Sequence, residues 1–455
     1  MNYTKELAAF STGLSFKAIP EEVVYKAKLC LLDYIASIYG SLELEAAGAV
    51  VDYVRSLGGP EDATALGCGF KTGLQNAAFI NGTTAEAIEA QDGLRFGGNH
   101  PGTAVIPAAL AVAEKDNLSG SKLIEAIVAG YEIAGRTAAA MHPFHTLSGF
   151  LPTGTCGTFG AAVAAAKLYD YDLNQTLNAI GNAGYLLPIS MAEQLMGGHT
   201  IKIVQGGQAA SAGIMAAGLA GKGLTGCPVV FEGSNLNGGF TQITTNSDPN
   251  LDKLIENLGT HYSINDIYFK PYAACRHTHG AAQAALELKK EHKINPDDIE
   301  SVAVYTYGIA VIAVGKGVPA GGSFVSAQFS IPYVVAACLI DGELGPGQLT
   351  ERRMKDKKLM DLAERISVAA DDDLNSIYPE KTASRVEIKL KTTEPLVNLV
   401  EIPRGDPRDP LTAEDLAAKV KHFARDKEES NLSKTIEIIM DLEKADSISE
   451  LVTLI

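Results

Sequence analysis

The chain has 455 residues, too many for a single compact core, so two domains are expected. Apolar residues make up 46% and charged residues 20%, ordinary values for a soluble globular protein. A net charge of −16 and a pI of about 5.1 argue against a phosphate-gripping basic face, and so against nucleic acid or an anionic membrane as partner.

The first ten residues, MNYTKELAAF, carry charge where a secretory leader would be apolar. The longest apolar runs, at 104–113 and 331–340, contain Pro107 and Pro332 and are about half a bilayer span. Cys30, Cys68, Cys156, Cys227, Cys275 and Cys338 are scattered, with no CxxC spacing. They read as reduced thiols, and the expectation is a cytoplasmic protein without a disulfide frame.

Leu31, Ile35 and Ile38 recur at helical spacing, as do Leu123, Ile124, Ile127 and Val128 after Ser121, a candidate N-cap. The segments 160–166 (GAAVAAA) and 209–219 (AASAGIMAAGL) are built from Ala and Gly, which lets helix backbones approach closely. These read as central helices. The motif NSDPN at 246–250 marks a turn, and beyond His261 the texture changes. Val302, Val304 and Thr306 alternate with Ala303, Tyr305 and Tyr307, and Val386, Ile388 and Leu390 with Glu387, Lys389 and Lys391. That period of two predicts half-exposed strands. An apolar helix at 329–339 and a charged amphipathic helix at 351–365 are predicted between them. PRGDPRDP at 403–410 reads as a linker, and Thr412-Ala-Glu-Asp415 as a capping box opening a further helix. The predicted fold is mainly α: a large helical domain from 1–267 and 403–455, and a smaller α/β domain at 268–402 with an antiparallel sheet.

The most informative stretch is 81–111, NGTTAEAIEAQDGLRFGGNHPGTAVIPAALA. Two apolar helical segments flank a loop that gathers Glu89, Gln91, Asp92, Arg95 and His100. Buried walls around charged groups call for paired charges or a polar pocket. A small anionic substrate suits such a pocket. Asp92 and Arg95 are alternatively a simple loop salt bridge. Lys202, in the apolar run Ile201–Val204, is either snorkelling at a helix edge or held in a pocket. His277 and His279 would share a face if that segment were a strand, but no third metal ligand has convincing spacing. Cys156 and Cys275, if they flanked a substrate carbon, would make a two-base pair. His142 and His145 lie on an expected loop, where a structural role is the simpler reading.

Taken together, NGTTAEAIEAQDG…NHPG…VIPAALA (81–111), PTGTCGTFGAAVAAAKL (152–168), IKIVQGGQAASAG (201–213), FKPYAACRHTHGAAQAALEL (269–288) and FSIPYVVAACLIDG (329–342) resemble the MmgE/PrpD family. That family includes 2-methylcitrate dehydratase, cis-aconitate decarboxylase and iminodisuccinate epimerase. The resemblance implies a helical domain built from both chain ends, a smaller α/β domain, a pocket between them, no metal or organic cofactor, and a homodimer. It places His100 on the His-Pro loop and Lys202 on the basic residue ahead of a glycine. It places His279 on the histidine that opens the α/β domain and Tyr333 on the tyrosine of its apolar helix. Two positions depart from the usual pattern. Gly93 ends the acidic run where a threonine is common, and Leu151 stands where a histidine commonly precedes the proline.

Elimination, decarboxylation and epimerisation of a polycarboxylate all build negative charge on a carboxylate while a proton moves at carbon. Lys202 is the expected cation, His100 or His279 the base, and Glu89 and Asp92 further catalytic candidates. Arg95, Arg276, His277 and Tyr333 are expected to bind substrate. The expected activity is a hydro-lyase of the 2-methylcitrate dehydratase kind. An epimerase, a decarboxylase and a non-catalytic carboxylate binder are the rivals.

Overall fold

Glycines decide how closely the helices meet, and through that where the charged loop sits. The computed structural model describes residues 2–236, 238–391, 394–424 and 427–455. The helical part is built on α1 (Glu21–Ser41), α2 (Leu74–Ala87), α3 (Gly102–Lys115), α4 (Gly120–Met141), α5 (Pro152–Leu168) and α6 (Gln205–Gly221). A Cβ on Gly130 would lie 2.8 Å from the Gly160 carbonyl oxygen, so α4 and α5 cross backbone to backbone. A Cβ on Gly82 would lie 2.6 Å from the Gly207 Cα, which seats α2 on the start of α6. The Ala/Gly-rich helices α5 and α6 are the buried centre that their composition predicts. Ser119, not Ser121, caps α4, its hydroxyl accepting from the Lys122 N–H.

Beyond β1 (Gly93–Leu94) and its antiparallel partner β2 (Ile267–Tyr268), the chain enters the α/β part. Here α7 (His279–His292) and α8 (Ile331–Asp341) pack with a four-stranded sheet of β3 (Ile299–Thr306), β4 (Ile366–Ala370), β5 (Ser384–Leu390) and β6 (Leu396–Val400). The order is β4-β3-β5-β6. The β3–β5 and β5–β6 pairs are antiparallel, while β4 joins the edge parallel to β3. A parallel neighbour needs a crossover, and the segment holding α8 supplies it. As the alternation predicts, Val302, Val304, Val386 and Ile388 face the core. The expected single helix at 351–365 is two, Glu351–Met354 and Lys357–Ala363, because Asp356 caps the second with its carboxylate on the Leu359 N–H.

The chain ends by returning to the helical part. α9 (Ala413–Phe423) opens with the Thr412/Asp415 capping box. Lys419 on α9 donates to Asp33 Oδ1 of α1 (2.7 Å) and to the Ala90 carbonyl (2.6 Å). After α10 (Glu429–Met440), the Met440 carbonyl accepts from Lys28. The stretch 403–410 is no loose linker. Gly405 adopts φ +90°, and a Cβ there would meet the Phe269 carbonyl at 2.0 Å; the two residues also bond through Phe269 N–H to Gly405 O (3.0 Å). Among the described residues no helix is long and apolar enough to cross a membrane.

Candidate active site

Helix α2 stops at Ile88, and Glu89 takes the left-handed conformation (φ +57°) that follows many helices. Glycine is the usual occupant, and a glutamate there costs of order 1–3 kcal/mol. The side chain offsets that strain. Its Oε1 accepts from Lys270 Nζ at 2.7 Å, and its Oε2 accepts from Lys202 Nζ. Lys202 also donates to Glu86 Oε1 (2.8 Å), which takes a second bond from Gln205 Nε2 (2.7 Å). Glu86 and Glu89 are one helical turn apart, so the end of α2 presents both carboxylates to the turn that leads into α6.

All four charged side chains are at most 4% exposed. Burial pushes the Glu89 carboxyl upward, but Lys202 and Lys270 outweigh it and hold it well below the usual carboxylate range. Burial likewise acts to lower Lys202, and Glu86 and Glu89 reverse it, raising the ammonium above its ordinary value. The sequence led us to expect either paired charges or a polar pocket for an anion, with Lys202 as its cation. The structure holds two lysines and two glutamates in one buried cluster, because an unpaired buried lysine would be too costly.

His100 completes this group. Its Nδ1 lies 2.6 Å from the Asp92 carbonyl, an acceptor only, so Nδ1 carries the proton and Nε2 keeps its lone pair. Nε2 points at Glu89 Oε1 from 3.9 Å. Burial, seconded by the charge of Lys270, lowers the imidazole to about 4 and keeps it neutral. The Thr153 hydroxyl at the start of α5 accepts from the His100 N–H (3.0 Å) and fixes the loop.

Asp92 supports the site from behind. Its Oδ2 is 2.6 Å from the Tyr131 hydroxyl and its Oδ1 accepts from Gly102 N–H (3.2 Å). Burial and the nearby Asp33 raise it to about 7. The salt bridge weighed for Asp92 and Arg95 is absent. Arg95 lies over Phe96 and donates to the Pro379 and Glu380 carbonyls, so it is spent on the α/β part.

The remaining expected residues divide. Arg276 is half-buried and donates to the backbone, to Pro403 O (2.7 Å) and Arg404 O (2.8 Å), while its guanidinium lies 5.0 Å from the centre of the Tyr268 ring. His277 Nδ1 is 2.6 Å from the Tyr307 hydroxyl. His277 and His279 lie on a helical turn and the start of α7, not on a strand, so they do not share a face. His279 has both nitrogens occupied: Nε2 faces the Ala274 carbonyl (3.1 Å) and Nδ1 faces an Arg276 N–H (3.4 Å). That pattern fixes the Nε2–H tautomer and leaves no lone pair for a substrate proton. Tyr333 is not brought to this group. Its hydroxyl bonds to the Gln348 carbonyl, and its charged neighbours are Arg353, Asp341 and Asp356. The Cys275 thiol lies near Glu89 and the Cys156 thiol near Thr155; burial pushes both to about 12, so neither is a ready base.

Sequence reasoning missed Lys270, Glu86 and Tyr268. Lys270 follows the apolar Ile267–Phe269 just as Lys202 follows Ile201, so the same signal marked it. Glu86 was legible as the partner of Glu89 at helical spacing. His142, set aside as a loop residue, lies against Gly98 beside Pro152, and its buried Nδ1 has no hydrogen-bond partner among the described residues.

Sequence comparison agrees with this architecture. The MmgE/PrpD N-terminal domain model matches residues 5–252 and the C-terminal domain model residues 272–444. The chain belongs to the MmgE/PrpD family. Similar proteins include a cis-aconitate decarboxylase-like protein, oryM, of Aspergillus oryzae, 27% identical over 100% of this chain and 97% of the relative. Others are cis-aconitate decarboxylases of Aspergillus terreus (25%, covering 99% of this chain and 95% of the relative) and Homo sapiens (25%, 99% and 94%). The family and these relatives are enzymes of the lyase type.

Proposed function

We propose that the chain is a cofactor-independent lyase that removes water from a small hydroxy-di- or tricarboxylate, 2-methylcitrate being the type. One observation carries this reading: two buried lysines converge on one carboxylate, with a neutral imidazole lone pair beside it. A substrate carboxylate seated against Lys202 and Lys270 has its α-carbon proton offered to His100 Nε2. The proton moves to the imidazole, and the electron pair of the C–H bond passes into the carboxylate, where the two cations stabilise it. Collapse forms the C=C bond and breaks the C–O bond of the β-hydroxyl. The imidazolium returns its proton to the departing hydroxide, and water leaves. Held at about 4, the imidazole is unprotonated at neutral pH, so its Nε2 lone pair is free to take the proton, as a weaker base than an ordinary histidine.

Decarboxylation is the second reading, favoured by the names of the full-length relatives. There the C–CO2 bond breaks instead, and the carbon must receive a proton from a donor.

Incubation with 2-methylcitrate, citrate and cis-aconitate in heavy water separates the possibilities. The expected result is a new alkene absorbing in the near ultraviolet, with no gas released. Carbon dioxide from cis-aconitate favours the second reading. Deuterium exchange with inversion and no alkene favours epimerisation and overturns both. A fall in turnover of about 10²–10⁴ is expected in His100→Asn, with a large loss in Lys202→Met, and full activity in both sinks the site.

We also propose a homodimer. Tyr185, Ile189, Met191, Met196 and Ile201 stand exposed along the stretch that ends at Lys202. Light scattering on the purified chain tests this, and a monomer at micromolar concentration refutes it.

A further inference from the structure

We infer that the Tyr268 hydroxyl is a substrate-contacting group of this site, donating a hydrogen bond to the substrate carboxylate opposite His100. The inference rests on the proposed reading of the site and adds a residue to it.

The argument begins with a two-residue ladder. Gly93 of β1 pairs with Tyr268 of β2, so the tyrosine ring lies across the glycine. A Cβ built on Gly93 would be 2.4 Å from the Tyr268 oxygen and 3.0 Å from His100 Nδ1. The phenol and the imidazole therefore crowd the same point above the Gly93 Cα. Any side chain at 93 would displace one of them, which gives a physical reason for the glycine there. Gly93 has no need of special backbone freedom; its bare Cα makes room.

The hydroxyl is also uncommitted. Tyr131 donates its hydroxyl to Asp92 and Tyr333 to the Gln348 carbonyl, and the Tyr307 hydroxyl is paired with His277 Nδ1. Tyr268 is 7% exposed, and its hydroxyl makes no hydrogen bond to any described residue. The hydroxyls of Tyr34 and Tyr39 are also without partners among the described residues but are buried away from this group, whereas the Tyr268 oxygen lies against Gly93 and His100. Its charged surroundings are those of the site: Glu89 and Asp92 are near, with Arg276 beneath the ring. Burial holds it far above the ordinary phenol range, so it serves as a neutral donor.

Arg276 then has a clear part. Its N–H groups are turned to the Pro403 and Arg404 carbonyls, so it presents its flat face to Tyr268. A cation under the ring fixes the phenol's position and makes the hydroxyl a better donor. Arg276 is a positioning residue, acting on substrate through Tyr268.

The test is a swap across the ladder. Tyr268→Phe keeps the ring and removes only the oxygen. It should leave the unfolding midpoint near that of the parent and lower kcat/KM about 10- to 100-fold. Gly93→Thr alone should be strongly impaired because the added side chain meets the ring. Tyr268→Ala with Gly93→Thr clears the ring and returns a hydroxyl from the opposite strand, so it should recover activity above Tyr268→Ala alone. Calorimetric titration with tricarballylate reads binding without turnover, and Tyr268→Phe should bind it about tenfold more weakly.

Parent-like activity and tricarballylate affinity in Tyr268→Phe overturn the inference. If His100→Asn and Lys202→Met lose turnover while Tyr268→Phe does not, the inference alone fails. If all three variants match the parent, the reading of the site fails with it.

Discussion

Replacing Glu89 by glutamine tests the buried charge cluster directly. In the native chain one carboxylate serves two ammonium groups. Lys202 would keep Glu86 at 2.8 Å, but Lys270, fully buried, would keep only the Glu89 carbonyl at 3.2 Å. At the 2.7 Å contact between Lys270 and Glu89, an effective dielectric of about 20 gives an attraction of about 6 kcal/mol. Desolvation offsets part of this, and breaking such a pair usually costs about 3–5 kcal/mol. The backbone strain at φ +57° stays in the variant, since glutamine is no better there than glutamate. Urea unfolding at pH 7 should therefore show a loss of about 3–5 kcal/mol. A polycarboxylate such as citrate should restore more stability to the variant than to the parent, because an external carboxylate supplies the negative charge that Lys202 and Lys270 have lost. At a hundredfold excess over Kd that recovery is about 2.7 kcal/mol. A variant within about 1 kcal/mol of the parent, or stabilised by citrate no more than the parent, would refute the reasoning.

Further expectations concern the three groups around the cluster. With His100 held at about 4, the acid limb of kcat/KM should stay flat down to roughly that pH and fall below it, the base being lost on protonation. A limb near 6.5 that persists in Asp92→Asn would show that the imidazole is not shielded as described, and His100→Asn should cost about 10²–10⁴ in kcat. Asp92, raised to about 7 from an ordinary 3.8, keeps its proton in the folded chain where the unfolded chain has lost it. Its contribution is thus complete below pH 4 and is lost as pH climbs to 7, by at most about 1.4 kcal/mol per unit. Asp92→Asn should flatten the stability profile between pH 4 and 7, and parallel profiles would contradict this. His279→Gln should lower the unfolding midpoint while retaining most turnover, since both ring nitrogens are already engaged. A loss as large as that of His100→Asn would reinstate it as the base.

Local pattern was sufficient for several features. Period-two alternation identified β3 and β5, the Ala/Gly runs identified the buried helices, and Thr412/Asp415 identified the start of α9. Each depends only on residues close in sequence and on the geometry of one element. The loop holding Glu89 and His100 was equally readable, because charges between apolar helices must be paired when buried. The register of β4 was not readable, since a parallel partner is chosen by the crossover and not by the strand.

The partners of those charges were decided only by the tertiary structure. Glu89 and Lys270 are 181 residues apart, and they meet because Gly93 pairs with Tyr268 and Gly405 locks behind Phe269. Arg276 and Arg95 read as anion-binding residues by composition, yet backbone carbonyls from distant segments take both. His279 looked like His100 in the sequence, and only the atoms facing its two nitrogens separate their roles. A sequence fixes which groups must find a partner when buried; packing between distant segments selects the partner, because each donor bonds whatever acceptor the fold brings within about 3 Å.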